Sequence, residues 1–362
     1  MPDVDPGATL GVGLIGYGFA GKTFHAPLIA AVEGMTLAAI ASHGAAKVRQ
    51  DFPGMVVFAD PKEMMAQKDI ALIVVATPND SHAPLARAAL EAGKHVVIDK
   101  PFTIDMKEAR ELMRLAERRG RMLSVFHNRR WDSDFLGARF GVESGVLGAV
   151  THFESHIDRY RPQVRDRWRE QAVPGSGVWY DLSPHMIDQA LTLFGLPDFI
   201  QANFALERPG AKAVDWAHAV LTYPRLRVVL HATMLAAGGS AKFLLHGNKG
   251  SLVKRGIDQQ EAQALGGMKP GAPGWGEDPD PLLIWDAQGN CREIPTPSGD
   301  HRLYYANIRD ALTGKRKNQV PAVQALAAMA VLEAGIHAAA SGKRTEIPLS
   351  DAERAAYAES RR

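Results

Sequence analysis

The sequence predicts an α/β protein in two parts. A doubly wound parallel sheet comes first, and an α/β domain built on an open, largely antiparallel sheet follows. Three observations carry this. Short apolar runs alternate with amphipathic helical stretches over the first third of the chain. A glycine-rich turn directly follows the first apolar run. After about Asn128 the rhythm changes to strands that alternate apolar with polar residues, with few helices between them.

In chain order, the apolar runs are Leu10–Ile15, Thr36–Ala41, Val56–Phe58, Ile70–Ala76, His95–Ile98 and Arg121–Phe126, with helical patterns such as His82–Ala92 and Asp105–Arg119 between them. Nearly continuous apolar strands suit a sheet covered on both faces, and strand–helix alternation implies parallel βαβ units. Thr151–Asp158, Asp198–Glu207, Ala213–Tyr223, Arg225–Leu235, Ala241–His246 and Ser251–Arg255 read as the later strands. Their period of two predicts an antiparallel sheet with one exposed face, which is a surface for self-association into a dimer or tetramer. Pro184–Phe194 reads as a helix. So do Tyr304–Leu312 and Pro321–Ala340, the last starting at proline and stopping before Gly342. Gly266–Pro281 reads as a long surface loop. The expected division is 1–125 and 126–362, with the tail helices of about 301–342 packing back toward the first domain.

Composition weighs against several classes. Lys+Arg number 42 against Asp+Glu 40, a formal charge of +2, without the basic excess of a nucleic-acid binder. The single Cys291 excludes an intramolecular disulfide and a multi-cysteine zinc site. The N-terminus has neither a basic n-region with an apolar core nor a twin-arginine pair. No apolar run is expected to reach the roughly 20 residues of a membrane span. A soluble cytoplasmic protein that binds neither membrane nor nucleic acid is the expectation.

Gly16-Tyr17-Gly18-Phe19-Ala20-Gly21 is G-x-G-x-x-G between an apolar run and a helical pattern, the context of a dinucleotide fingerprint. Gly16 permits the tight turn, Gly18 a close approach to pyrophosphate, and Gly21 close helix–strand packing. The helix start then offers free N–H groups to the anion. NAD enzymes usually carry an acidic residue about 20 positions on. Here the second strand ends in Ala41-Ser42-His43-Gly44, without a carboxylate, and Lys47 and Arg49 follow. Ser42 and His43 therefore point to the 2′-phosphate of NADP, with NAD as the alternative.

Asp99-Lys100-Pro101 closes the fifth strand, on the side where ligands bind such sheets, and a lysine there can hydrogen-bond a reacting hydroxyl. A cis Lys100–Pro101 bond is hypothesised. Asp181-Leu182-Ser183-Pro184-His185 places an acid just before a helix and a histidine near its first turn, both able to face one cleft. Histidine suits acid/base work on an alcohol. Asp181 or Ser183 as a plain helix cap is the competing reading. Asp181, His185 and Asp188 lack a further ligand, so no metal is expected. Asp158–Glu170 is dense in arginine. It reads either as a solvated loop or subunit interface, or as a substrate wall using Tyr160, Arg161 and Trp168. Asn128, after the sixth strand, is a further substrate candidate.

Together these motifs resemble the Gfo/Idh/MocA oxidoreductases. The resemblance covers GLIGYGFAGKTFHAPLI at Gly13–Ile29, ATPNDSHAPLA at Ala76–Ala86 and GKHVVIDKPFT at Gly93–Thr103. It continues in LSVFHNRRWDSDFL at Leu123–Leu136, RYRPQVRDRWRE at Arg159–Glu170 and GVWYDLSPHMIDQ at Gly177–Gln189. The family's Glu-Lys-Pro is Asp99-Lys100-Pro101 here, which keeps the lysine. The later blocks look closest to the NADP-dependent scyllo-inositol 2-dehydrogenase branch. The resemblance implies a Rossmann domain joined to an open-sheet domain that often oligomerises through that sheet. It makes Lys100, Asp181 and His185 the catalytic set. It puts Thr77, Pro78, Asn79, His82 and the Asp99–Lys100 pair on the cofactor side. The expected reaction is oxidation of a secondary hydroxyl of a cyclic polyol or sugar. A non-catalytic dinucleotide sensor and an NAD-dependent glycoside hydrolase are the rival readings on the same fold.

Overall fold

A computed structural model describes residues 9–362. They form two compact units. The first takes the chain up to Asn128, with Gln260–Trp275 and Asp300–Leu326. The second takes Arg129–Gln259, Gly276–Gly299 and Ala327–Arg362.

The first unit is built on β1 (Leu10–Ile15), β2 (Met35–Ala41), β3 (Val56–Phe58), β4 (Leu72–Val75), β5 (His95–Ile98) and β6 (Leu123–Val125). Their order is β3-β2-β1-β4-β5-β6, and every pairing is parallel. This is a doubly wound sheet whose order reverses between β1 and β4. β4, β5 and β6 are buried at every residue, which is why their sequences are apolar runs with no alternation. The helix Met106–Arg119 begins where Asp105 accepts the Glu108 N–H and ends at Gly120 in the left-handed region. The returning segment closes over β6. The Tyr304 hydroxyl lies 2.9 Å from Ser124 Oγ, which also donates to the Val320 carbonyl, and Phe126 packs edge-on against Tyr304.

The second unit holds β7 (Val150–Asp158), β8 (Phe199–Ala205), β9 (Trp216–Thr222), β10 (Arg227–Thr233), β11 (Phe243–Gly247), β12 (Gly250–Lys254), β13 (Leu282–Asp286), β14 (Cys291–Ile294) and β15 (Thr345–Glu346). They run β14-β13-β12-β11-β7-β10-β9-β8-β15, antiparallel except at β7–β10. Ala217, Ala219 and Leu221 alternate with half-buried Trp216, His218 and Val220, so one face is core and the other is open. The helix Gly177–Phe194 packs on the core face, where the Trp179 indole donates to the Leu332 carbonyl.

The structure departs from the expectations in four places. The helix expected at Pro184 begins at Gly177, and Pro184 sits inside it. Proline marks a helix start only because it brings no N–H to the ladder, and tertiary packing on the sheet outweighs that loss here. The strands β13, β14 and β15 were not anticipated: β14 and β15 are short, mostly polar edge strands, and the apolar β13 follows directly on the segment read as a loop. The helix Asp351–Ser360 was also not anticipated, although Ser350 and Glu353 form a capping box at its start. Finally, Ala322–Ser341 is by length and composition apolar enough to cross a membrane, contrary to the expectation that no stretch would be. Its alanines serve close packing: 61% of the apolar window is buried, and a Cβ at Gly335 would lie 2.4 Å from the Trp179 ring.

Candidate active site

In the first unit the site begins at the switch between β1 and β4. Gly16 has φ +98°, and a Cβ there would lie 2.4 Å from the Ala76 carbonyl oxygen. A Cβ on Gly21 would lie 2.2 Å from the Gly16 carbonyl oxygen, so the helical segment 19–30 can close on the turn only with glycine. Gly18 meets nothing within 4 Å and is exposed. That is the arrangement a pyrophosphate needs: two glycines demanded by the fold, and a third left open beside a helix start. The Tyr17 ring is buried and its hydroxyl donates to Asp51, which also pairs with Lys22 at 2.7 Å. Tyr17 thereby ties the glycine turn to the helix Ala45–Asp51. Phe19 is exposed and Ala20 half-buried.

At the end of β2, the Ser42 N–H donates to Phe58 and its hydroxyl accepts the Gly44 N–H, with His43 and Lys47 exposed. No carboxylate lies between Ala41 and Gly44.

The turns after β4 and β5 are clasped by His82. Its ring is fully buried, with nitrogens 2.9 Å from the Pro101 carbonyl and 3.0 Å from that of Thr77. His82 therefore packs between the two turns. Ser81 donates to the Thr77 hydroxyl; Asn79 is buried and Pro78 exposed. Lys100 follows β5, half-buried, and the Lys100–Pro101 peptide is cis. The Asp99 carboxylate accepts the Lys100 N–H at 2.8 Å and faces His25 Nε2 at 3.8 Å. Burial pushes the Asp99 carboxyl up, but His25 and the Lys100 charge outweigh it, so it stays below its ordinary value. His25 Nδ1 in turn lies 2.6 Å from the Tyr305 hydroxyl. Asn128 is buried, with its amide 3.3 Å from His301 Nδ1, so its polar end is spent inside this unit.

In the second unit, Asp181 and His185 are four residues apart on one face of the helix Gly177–Phe194. The helix starts after Ser176, so neither Asp181 nor Ser183 caps it, contrary to the cap reading. Asp181 is half-buried and pairs with Arg169 at 3.3 Å; His185 is buried. Asp188 is gripped bidentately by Arg130 at 2.8 and 2.6 Å, which commits it to an ion pair.

The arginine-dense segment is ordered around Glu170. Its carboxylate accepts from the Arg165 N–H and the Arg167 guanidinium and pairs with Arg208, which is held by Asp215. Burial pushes the Glu170 carboxyl up, and those donors bring it below its ordinary value. A small hollow is lined by Arg167, Arg169, Glu170, Asp181, Arg208 and Met234. Trp168 lies under the Arg169 guanidinium, Tyr160 is 60% exposed, and the Arg161 N–H is spent on Met234. The structure thus gathers Asp181 with arginines, whereas His185, Tyr160, Arg161 and Trp168 do not line that hollow.

Sequence reasoning missed His25, Tyr305, Asp51, Arg169 and Arg208. His25 lies inside the GLIGYGFAGKTFHAPLI block, but nothing local marks it as the partner of Asp99.

Comparison with known proteins agrees with this geometry. Residues 10–127 match the model of an oxidoreductase family's NAD-binding Rossmann fold, and 141–349 match that family's C-terminal alpha/beta domain, Gfo/Idh/MocA in both cases. The chain is 54% identical over 331 residues to the uncharacterized oxidoreductase YdgJ of Escherichia coli, covering 91% of this chain and 96% of that one. It is 34% identical over 342 residues to the scyllo-inositol 2-dehydrogenase (NADP(+)) IolW of Bacillus subtilis, covering 93% and 95%. The crystal structure of a Klebsiella pneumoniae protein described as an oxidoreductase superposes with a TM-score of 0.93 at 55% identity, covering 98% and 99%.

Proposed function

The chain belongs to the Gfo/Idh/MocA oxidoreductase family, and on that premise we propose that it oxidises, reversibly, a secondary hydroxyl of a cyclic polyol with NADP, scyllo-inositol being the first candidate. The observation that carries this is the 34% identity to IolW over nearly the full length of both chains, IolW being a dehydrogenase of that substrate and cofactor. Independent support comes from the end of β2, where Ser42, His43 and Lys47 stand with no carboxylate to repel a 2′-phosphate.

The Gly16–Gly21 turn binds the pyrophosphate, Ser42 and His43 the adenosine end, and Thr77–Asn79 with Asp99–Lys100 frame the nicotinamide side. When held by these residues, NADP would supply the acceptor for the carbinol hydride. The chain's own residues handle the remaining proton. His185 takes it from the substrate hydroxyl, Lys100 hydrogen-bonds the same oxygen as it becomes a carbonyl, and Asp181 accepts from a neighbouring hydroxyl. Tyr160, Arg161, Trp168 and Asn128 remain assigned to the substrate side. Two copies associate through the β11–β13 part of the open face of the nine-stranded sheet, supported by its half-buried Leu244, Val253, Leu283 and Trp285. A cytoplasmic setting, which keeps the exposed Cys291 thiol reduced, goes with this reading.

The test is a panel of inositols and sugars with NADP and NAD side by side, monitored for reduced nicotinamide. Turnover of inositols with NADP is expected. NAD-only turnover would overturn the Ser42 assignment. NADPH binding without turnover of any panel member would overturn the enzymatic reading in favour of a sensor.

A further inference from the structure

The open face of the second unit's sheet carries histidines on neighbouring strands. The register pairs His231 of β10 directly with His218 of antiparallel β9 and with His156 of parallel β7. The two Nδ1 atoms of His218 and His231 face one another at 3.4 Å. Two imidazole nitrogens bound at roughly 2.0–2.1 Å to one tetrahedral ion lie about 3.3–3.4 Å apart, so the pair already has the span of a chelate. The rings are braced: Trp216 stacks on His218 and meets His231 edge-on.

The surrounding groups favour a cation. Asp158 Oδ1 is buried and faces His231 Nε2 at 3.8 Å, on a carboxylate also met by Ser240 and His156. A carboxylate there draws the ring proton to Nε2 and leaves the Nδ1 lone pair outward, the support that metal-binding histidines characteristically have. Glu154 and Asp158 hold His156 at 2.8 and 3.3 Å. The two carboxylates place acidic oxygens beside the pair. His218 also borders a surface hollow with Gln201, Asn203 and Lys343, which gives access from solvent.

We propose that His218 and His231 bind one divalent first-row transition ion, such as Cu²⁺, Ni²⁺ or Zn²⁺, through their Nδ1 atoms, with Asp158 supporting His231. Binding displaces the single proton the two nitrogens share and leaves the remaining coordination positions to water. The site is independent of the proposed redox reaction.

The full chain, stripped with chelator, is titrated calorimetrically with Cu²⁺, Ni²⁺ and Zn²⁺ separately. Wild type takes one ion per chain, counted per chain whatever its association state, with Cu²⁺ tightest. Electron paramagnetic resonance of the Cu²⁺ form shows coupling to two nitrogens, a readout that needs no variant. His218→Gln and His231→Gln each weaken binding at least about tenfold, and Asp158→Asn does so by about tenfold. His246→Gln, on β11 beyond β7, leaves it unchanged. Absence of binding, coupling to fewer than two nitrogens, or wild-type affinity in the double variant H218Q/H231Q would overturn the proposal.

Discussion

β4 of the parallel sheet and β9 of the mixed sheet bury side chains by different rules. Leu72, Ile73, Val74 and Val75 are all fully buried, because the doubly wound sheet has no open face. In β9, alternate residues are core and the rest face outward. In the first sheet, polar chemistry has room only where strands end, and there Gly16, Ser42, Thr77 and Lys100 are found. In the second it can spread across a whole face, as the His152-Glu154-His156-Asp158 row does. Burial on both faces concentrates function at strand ends, whereas burial on one face leaves a surface free for partners or ions.

The strongest way to break this comparison is at a strand end. Lys100→Met should lower kcat by about 10²–10⁴-fold while leaving NADPH affinity within a few-fold, since only a transition-state proton contact is lost. Unchanged kcat would remove Lys100 from the reaction. The next test sets the two sheets against each other. Leu72→Ala should cost about 2–5 kcal/mol in urea unfolding, the range for a cavity in a closed core. Leu244→Ala, on the open face of β11, should cost about 0.5 kcal/mol or less in the monomer. Equal losses would mean that the open face is core after all.

The smallest effect sharpens the comparison through pH. Burial pushes the His156 pKa down, but Asp158 and Glu154 outweigh it, and the net shift is upward from 6.5. A raised folded value makes the pair's contribution complete below the unfolded value and lost as pH rises through the folded one. His156→Gln should therefore destabilise by less than about 1 kcal/mol near pH 5.5, the partly exposed site being screened. The gap to wild type should close as pH rises above 6.5. A gap that widens with pH would reverse the assignment.

Where local patterning decides structure, the sequence was legible. Leu10–Ile15, Val56–Phe58 and His95–Ile98 are strands at their expected bounds, and the glycine turn sits where strand and helix patterns meet. The Gly177–Phe194 helix was misread at its start because Gly177, Ser183 and Pro184 individually favour breaks, while the apolar face that overrides them exists only against the sheet. Lys254 was read as one residue of an exposed-face strand. It is fully buried, held by Asp278 and Asp280 from a segment that reads as loop.

The sequence by itself determined the class of the chain, the cofactor turn and the lysine at the end of β5, because each depends on residues adjacent along the backbone. Only the tertiary structure decided which charges and rings answer one another. His25 meets Asp99 and Tyr305, Asn128 meets His301, Arg130 grips Asp188, and His218 faces His231. These pairings join residues from 13 to 280 positions apart. Their partners are set by how distant helices and loops pack together and, for His218 and His231, by strand register, which no local pattern encodes.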